Sequence, residues 1–328
     1  MKLLVVGCGS IGERHIRNLK TFFKGEILAC DTDPKRLSVV GKKYHIQTYT
    51  DLEQALDRTS AALVCTPPSS HIPIALVAAK HGAHVFVEKP MSHNLKGVNE
   101  LIKKAKKENL VIFVGYNFRF HPGIKLVKKM LDEGRIGKAL SARAEFGQYL
   151  PGWRPWQDYR QGYTARKELG GGIILDGSHE IDYIRWFLGE VEEVFCSAGK
   201  ISNLEVETED TAEIVLKFRS GVIAEIHLDF VRRDYSRNCA LIGEKGSIVW
   251  NYPEKLVKAY SAQGRRWRTF DISGEPNDMY VHEMKHFIRC VQGKEEPLVS
   301  GEEGKRTLEI ALAAKQSAKT GKIVRLEG

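Results

Sequence analysis

The 328-residue chain has no apolar run approaching the roughly 18 residues that a bilayer span requires, so no transmembrane helix is expected. Its opening, MKLLVVGCGSIG, has no cleavage-site pattern, and the short apolar run breaks into glycines. It therefore reads as a first β-strand rather than a signal peptide. There is no CxxC pair. The six cysteines (Cys8, Cys30, Cys65, Cys196, Cys239 and Cys290) are scattered, which argues against a zinc site, and no bound metal is expected. Cys8, Cys30 and Cys65 lie in or beside expected buried strands, where reduced cysteine acts as a small apolar residue, so a cytoplasmic location is expected. Internal repeats, low-complexity linkers and recognised nucleic-acid modules are absent too.

What is present describes a globular protein of about two domains: 42% hydrophobic, 28% charged, with a net charge of +9. The lysines of Lys103–Lys107 and Lys125–Lys129 fall on expected amphipathic helices, and solvated faces account for them without a nucleic-acid or membrane partner. The positive charge also favours an anionic substrate, such as an acidic sugar or a sugar nucleotide.

Up to about residue 118, strand-like runs (KLLVVG, EILACD, AALVCTP, HVFVEKP and LVIFVGYN) alternate with helical patterns over 11–23, 34–44, 51–57, 73–81 and 95–108. Strands that are apolar throughout, separated by helices, predict a parallel sheet covered on both faces. After Pro122 the rhythm changes. A helix over 124–132 and a strand, ALSARAEFG, lead into an irregular aromatic segment and one helix over about 172–188. Alternating runs with turn signals such as Arg219-Ser-Gly221 then predict an antiparallel meander, closed by helices over 279–291 and 302–320. The expected fold class is α/β: a domain with a parallel sheet over 1–120 and a second α/β domain over 121–328.

Gly7-Cys-Gly-Ser-Ile-Gly12 follows a strand and opens a helix, the context a dinucleotide fingerprint needs. Gly7 permits the turn, Gly9 lets backbone approach a pyrophosphate, and Gly12 lets helix and strand pack closely. Ser10 and Ile11 stand at the helix start, where backbone N–H groups face phosphate. Asp31 ends the second strand, 19 residues after Gly12, where a carboxylate accepts from both ribose hydroxyls and repels a 2′-phosphate. NAD is therefore favoured, although Arg36 is able to pair with a 2′-phosphate and keeps NADP open. Thr66 and Pro67 end the next buried strand as a wall suited to the nicotinamide ribose. His71 either touches the cofactor or begins the next helix.

VFV ends in Glu88, Lys89 and Pro90, which places a cation at the carboxyl end of a buried strand, where open α/β sheets bind ligands. On the later GGGIILDGSHEID segment, helical spacing puts Asp176, His179, Asp182 and Tyr183 on one side and Ile181, Ile184 and Leu188 on the other. Gly170, Gly171 and Gly172 are expected to let backbone approach cofactor or substrate. His179 is the candidate general base on a substrate hydroxyl, since its ordinary pKa lies near working pH. Lys89 would stabilise the developing alkoxide, and Asp176 would orient the imidazole or bind a neighbouring hydroxyl. The plainer reading of the helix is a core histidine with Asp182 as its structural partner. Asn117, Arg119, Trp153, Trp156, Tyr159, Arg166 and Tyr280 are further candidates for substrate contact, with packing or surface roles as the alternative for each.

The combination GCGSIGERH, CTPPSSH, VEKPMS, GYNFRFHP and GGGIILDGSHEIDYIRWFLG resembles the Gfo/Idh/MocA oxidoreductases over essentially the whole chain. The resemblance implies a Rossmann domain followed by a domain with a large open, mainly antiparallel sheet that packs against a partner subunit in dimers or tetramers. It implies oxidation or reduction of a sugar, cyclitol or sugar-nucleotide hydroxyl. The lysine of the family's EKP motif corresponds to Lys89, and its Asp and His to Asp176 and His179. Many relatives space that pair by four residues; here the spacing is three, which leaves the Asp assignment weaker. An NAD-retaining glycosidase and a non-catalytic NAD-binding regulator are the rival functions.

Overall fold

A computed structural model describes residues 1–57 and 59–327. The chain forms two compact units, one of residues 1–117 with 277–306, the other of 118–276 with 307–328. The expected division at residue 120 omits the return of 277–306. That return has a physical basis. Helix α9 (Asp278–Val291) presents Phe287 to Phe86 and Phe113, with ring centroids 5.5 and 5.8 Å apart, and so covers one face of the first sheet.

The first unit is built on strands β1 (Lys2–Val6), β2 (Glu26–Cys30), β3 (Gln47–Tyr49), β4 (Ala61–Val64), β5 (His84–Glu88) and β6 (Ile112–Gly115). They form one parallel sheet in the order β3-β2-β1-β4-β5-β6. Helices α1 (Ser10–Phe22), α2 (Pro34–Tyr44), α3 (Leu52–Leu56), α4 (Pro68–Lys80) and α5 (Val98–Glu108) provide the crossovers. LLVV, AALV and VFV are buried throughout, as a sheet covered on both faces requires. Strand β3 was not expected; its three residues, one exposed and two half-buried, carry no apolar pattern. Helix α4 begins five residues earlier than expected, because Pro68 suits a first helical turn; Pro73 lies inside the helix.

The second unit carries helices α6 (Pro122–Asp132), α7 (Ile173–Asp176) and α8 (Ser178–Leu188) and most of α10 (Gly301–Thr320). Its strands are β7 (Ala139–Gly147), β8 (Val191–Gly199), β9 (Thr211–Phe218), β10 (Ile223–Asp229), β11 (Ser236–Gly243), β12 (Gly246–Asn251), β13 (Leu256–Ser261), β14 (Arg266–Asp271) and β15 (Val324–Arg325). They form one nine-stranded sheet, antiparallel except where β10 runs parallel to β7. Ala142, Ala144, Ile214, Leu216, Ala224, Ile226, Leu228, Cys239 and Leu241 are buried. The alternate positions Phe195, Val215, Ile223 and Ile242 are exposed, the period-two signature of a sheet with one covered face. The expected single helix over 172–188 is instead two. It breaks at Gly177, where a Cβ would lie 2.9 Å from Ile173 O and from the Leu228 side chain. No helix among the described residues is long and apolar enough to cross a membrane.

Candidate functional site

In the first unit the fingerprint glycines are forced by contact. Gly7 has φ +90°, and a Cβ there would stand 2.9 Å from the Cys65 carbonyl; a Cβ at Gly12 would stand 1.9 Å from Gly7 O. At Gly9 a Cβ would meet nothing within 4 Å. The chain therefore leaves room beside the start of α1, where Ser10, Ile11 and Gly12 lie in the first turn and their N–H groups have no intrahelical acceptor. Space plus uncapped donors at a 13-residue helix suits a dinucleotide's pyrophosphate.

Asp31 is nearly buried, and its carboxylate is held on both oxygens. Oδ2 accepts from the Cys8 N–H at 2.7 Å and Oδ1 from the Asp33 N–H at 2.9 Å. The Arg36 guanidinium donates to Oδ2 at 3.2 Å. Burial and this carboxylate together push the Cys8 thiol up to about 12, so Cys8 stays a neutral packing residue. The Thr66 hydroxyl is buried with no hydrogen-bond partner among the described residues, which leaves it available to a ligand.

Glu88 and His71, both candidates for cofactor contact, have side chains engaged by the chain. Glu88 Oε1 lies 2.5 Å from His15 Nε2, and Oε2 accepts the Lys89 N–H at 3.2 Å. Its carboxylate thus ties the end of β5 to α1 instead of facing outward. His71 lies inside α4, fully buried, with Nε2 2.7 Å from Thr66 O and Nδ1 2.9 Å from Pro90 O. Both ring nitrogens are engaged by the chain, so that His71 links the loops at Thr66 and Pro90. Lys89 follows β5 directly, at the carboxyl end of the sheet, half-buried.

In the second unit Asp176 is the last residue of α7 and His179 the second of α8. The expectation that both ride one face of a continuous helix is therefore corrected: Gly177 separates them. Both are buried. Asp176 Oδ1 accepts the Tyr163 hydroxyl at 2.6 Å. The His179 ring meets Phe118 edge-on at 4.9 Å. Phe118 in turn lies under the Arg237 guanidinium at 4.4 Å, and Arg237 Nε is 2.9 Å from Glu180 Oε1. Burial pushes the Tyr163 phenol well up, as does Asp176 beside it; Tyr163 is a donor at any working pH.

Of the polar stripe expected on α8, Asp182 and Tyr183 are wholly buried. Asp182 is 1% exposed and takes a two-pronged bond from Arg119, Nε to Oδ2 at 2.9 Å and Nη2 to Oδ1 at 2.8 Å, while the Thr307 hydroxyl lies 3.2 Å from Oδ1. Arg119, expected at the substrate, is thus held in a buried ion pair, and Tyr183 is buried against Trp250 and Phe187. The glycine run serves the chain itself. A Cβ at Gly171 would meet Tyr163 O at 2.3 Å, and Gly172, at φ +111°, abuts the Glu209 carboxylate.

The remaining candidates scatter. Trp153 packs on Phe146 and Phe230 and donates Nε1–H to Gln148 O. Trp156 is 78% exposed. The Tyr159 hydroxyl accepts from the Glu205 N–H at 3.1 Å, and Arg166 pairs with Glu168 at 2.6 Å. Tyr280 belongs to the first unit, beneath Arg14 at 4.5 Å and beside His15. Asn117 closes the first unit; its buried Nδ2 has no hydrogen-bond partner among the described residues. Sequence reasoning missed Tyr163, Phe118 and His15. Only His15 carried a signal, in the GERH that follows the fingerprint. No group of three or more metal-ligating side chains occurs among the described residues.

Comparison with known proteins covers both units. Residues 1–116 match the oxidoreductase family with an NAD-binding Rossmann fold, and 124–249 match the GFO/IDH/MocA C-terminal domain. The chain is 34% identical to a Myo-inositol 2-dehydrogenase of Thermotoga maritima, over all of this chain and 99% of that protein. It is 27% identical to the scyllo-inositol 2-dehydrogenase (NAD(+)) of Bacillus subtilis, covering 100% and 96% of the two chains. The crystal structure of a probable dehydrogenase from Thermotoga maritima superposes with a TM-score of 0.83 at 31% identity, over 99% of this chain and 98% of that one.

Proposed function

The chain belongs to the Gfo/Idh/MocA oxidoreductases and is an NAD-dependent enzyme of CH–OH groups, and from that premise we propose that Lys89, His179 and Asp176 act on a hydroxyl of a sugar, cyclitol or sugar nucleotide. The observation that carries the assignment is the pair of buried ionisable side chains flanking Gly177, one of them clamped by Tyr163. Burying ionisable groups is costly unless they are hydrogen-bonded or paired, and such groups cluster at functional sites.

The α1 N-terminus, Gly9 and Asp31 would hold NAD, with the Thr66 hydroxyl as a further contact. When bound, the cofactor supplies a hydride acceptor at the nicotinamide ring. His179 removes the hydroxyl proton as the carbinol carbon is oxidised to a carbonyl. The Lys89 ammonium donates a hydrogen bond to the same oxygen and stabilises its negative charge. Asp176, oriented by Tyr163, either fixes the imidazole or receives an adjacent hydroxyl. In the reducing direction the proton returns from His179 to the carbonyl oxygen.

NADH formation from a panel of sugars, inositols, sugar acids and sugar nucleotides tests this, with Lys89→Ala and His179→Ala as variants. Each should lower kcat by about 10²–10⁴-fold while NAD affinity changes little. Equal turnover in either variant would remove that residue from the mechanism. Substrate cleavage without net NADH would favour an NAD-retaining glycosidase; ligand binding with neither reaction would favour a regulator.

We further propose a homodimer or homotetramer assembled on the open face of the nine-stranded sheet. Phe195 pairs across to Val215, and both lie on this face with Ile223 and Ile242, each at least 39% exposed; a monomer in light scattering would refute it. A cytoplasmic location is supported by six buried cysteines, all free.

A further inference from the structure

Glu180 follows His179 on α8, and it carries a carboxylate into the core of the second unit. Its partner is Arg237 on β11, and both residues are buried. Arg237 Nε lies 2.9 Å from Glu180 Oε1, and Nη2 donates to Oε2 at 3.4 Å. The same guanidinium lies over two rings, 4.4 Å from the centroid of Phe118 and 4.0 Å from that of Phe146. Phe118 in its turn meets the His179 imidazole edge-on at 4.9 Å. One aromatic ring therefore touches both the guanidinium and the candidate base.

A buried ion pair adds little net stability over an apolar pair of the same shape, but it fixes the electrostatic field where it stands. An uncompensated guanidinium this close to His179 would oppose the imidazolium, and an uncompensated carboxylate would favour it. Arg237 cannot relieve that field by losing its proton. We propose that Glu180 and Arg237 are positioning residues for His179, cancelling each other's charge beside Phe118 so that neither displaces the proton equilibrium of the imidazole. The inference rests on the assignment of His179 as general base. The reach of the guanidinium is seen at His121, whose ring lies 6.0 Å from Phe118: burial, and then Arg237, push its pKa down to about 4. The other titratable groups grouped here are Asp176, bonded to Tyr163; Tyr183, whose hydroxyl donates to Glu180 Oε1 at 3.4 Å; and Tyr252, 5.7 Å from Phe118. Burial pushes the Tyr163 and Tyr183 phenols well up, so both keep their protons. Asp176, Glu180 and Arg237 are then the charges of this cluster.

Carbon-13 NMR titration of the full-length, histidine-labelled protein saturated with NAD tests the inference, with His179→Gln identifying the His179 signal. Glu180→Gln keeps the side-chain shape and strands the guanidinium charge. The His179 midpoint should then fall by about one pH unit. Adding Arg237→Gln removes the stranded charge and should return the midpoint to its wild-type value. Thermal melting establishes that each variant is folded. A midpoint unmoved in Glu180→Gln, or still low in the double variant, would overturn the inference. If Glu180→Gln does not fold, the double variant, which strands no charge, still decides: the wild-type midpoint is expected there, and a displaced one overturns the inference. The pH profile of kcat/KM for whichever sugar or polyol yields NADH separates the two readings. A midpoint that falls in Glu180→Gln while the acid limb of the profile stays in place sinks the general-base assignment alone. A limb that follows His179 in the wild type, with neither moving in Glu180→Gln, sinks the role of the ion pair alone.

Discussion

The Tyr163 hydroxyl donates to Asp176 Oδ1 at 2.6 Å, from a 3₁₀ turn (Tyr163–Ala165) to the last residue of a four-residue helix. Neither element is long enough to hold a side chain rigidly by itself, so the bond fixes both. A hydrogen bond to a charged group contributes about 1.5–3 kcal/mol. Tyr163→Phe keeps the ring and removes the donor. It should lower kcat by about tenfold or more, with NAD affinity unchanged, in steady-state assays; unchanged kcat would mean that Asp176 needs no orientation for turnover.

Cofactor choice should depend on Asp31 and Arg36 as a pair. The Arg36 guanidinium is committed to Asp31 Oδ2 at 3.2 Å, so the cation that could bind a 2′-phosphate is neutralised by the carboxylate that repels one. Asp31→Ser removes the repulsion and releases the arginine in one step. NADPH should then gain, and NADH lose, at least about tenfold in affinity, as read by quenching of protein fluorescence. Further replacing Arg36 by Ala should reverse the NADPH gain.

The Arg119–Asp182 pair is buried to 1% exposure on each side, and Trp186 lies 5.2 Å from the guanidinium carbon. Removing one partner of such a pair strands the other charge. Asp182→Ala should cost about 3–5 kcal/mol in urea denaturation, and Arg119→Met added to it should recover part of that loss. A cost near zero would mean that water reaches Arg119.

The first unit was legible in the sequence because its signals are local. Buried parallel strands are apolar along their length, and Gly7, Gly12 and Asp31 stand at fixed spacings. Glu88 and His71 show the limit of that reading: their types and positions suit cofactor contact, yet partners 73 and 19 residues away claim their polar atoms. In the second unit, periodicity found α8 but could not see the break at Gly177, whose close neighbour Leu228 lies on another strand. Tyr163 was invisible for the same reason. The sequence pattern names residue types that can do chemistry; which of them are already bonded to the chain is decided by long-range packing.

The last prediction concerns His227 on the open sheet face. Its Nε2 lies 3.0 Å from Asp229 Oδ2 and its Nδ1 2.6 Å from Glu213 Oε1. Hydrogen bonding to Asp229, against the opposing effect of partial burial, and then to Glu213, raises its pKa to about 9. Glu145, directly across on β7, is matched by Arg232. A base whose folded pKa exceeds its unfolded value, about 6.5, binds its proton more tightly when folded. The resulting stabilisation is therefore complete below about pH 6.5 and is lost as pH rises through about 9. Melting temperature measured from pH 6 to 10 should fall more steeply in the wild type than in His227→Gln, with the difference developing between pH 6.5 and 9. Parallel curves would mean that the imidazole is not protonated between its two carboxylates.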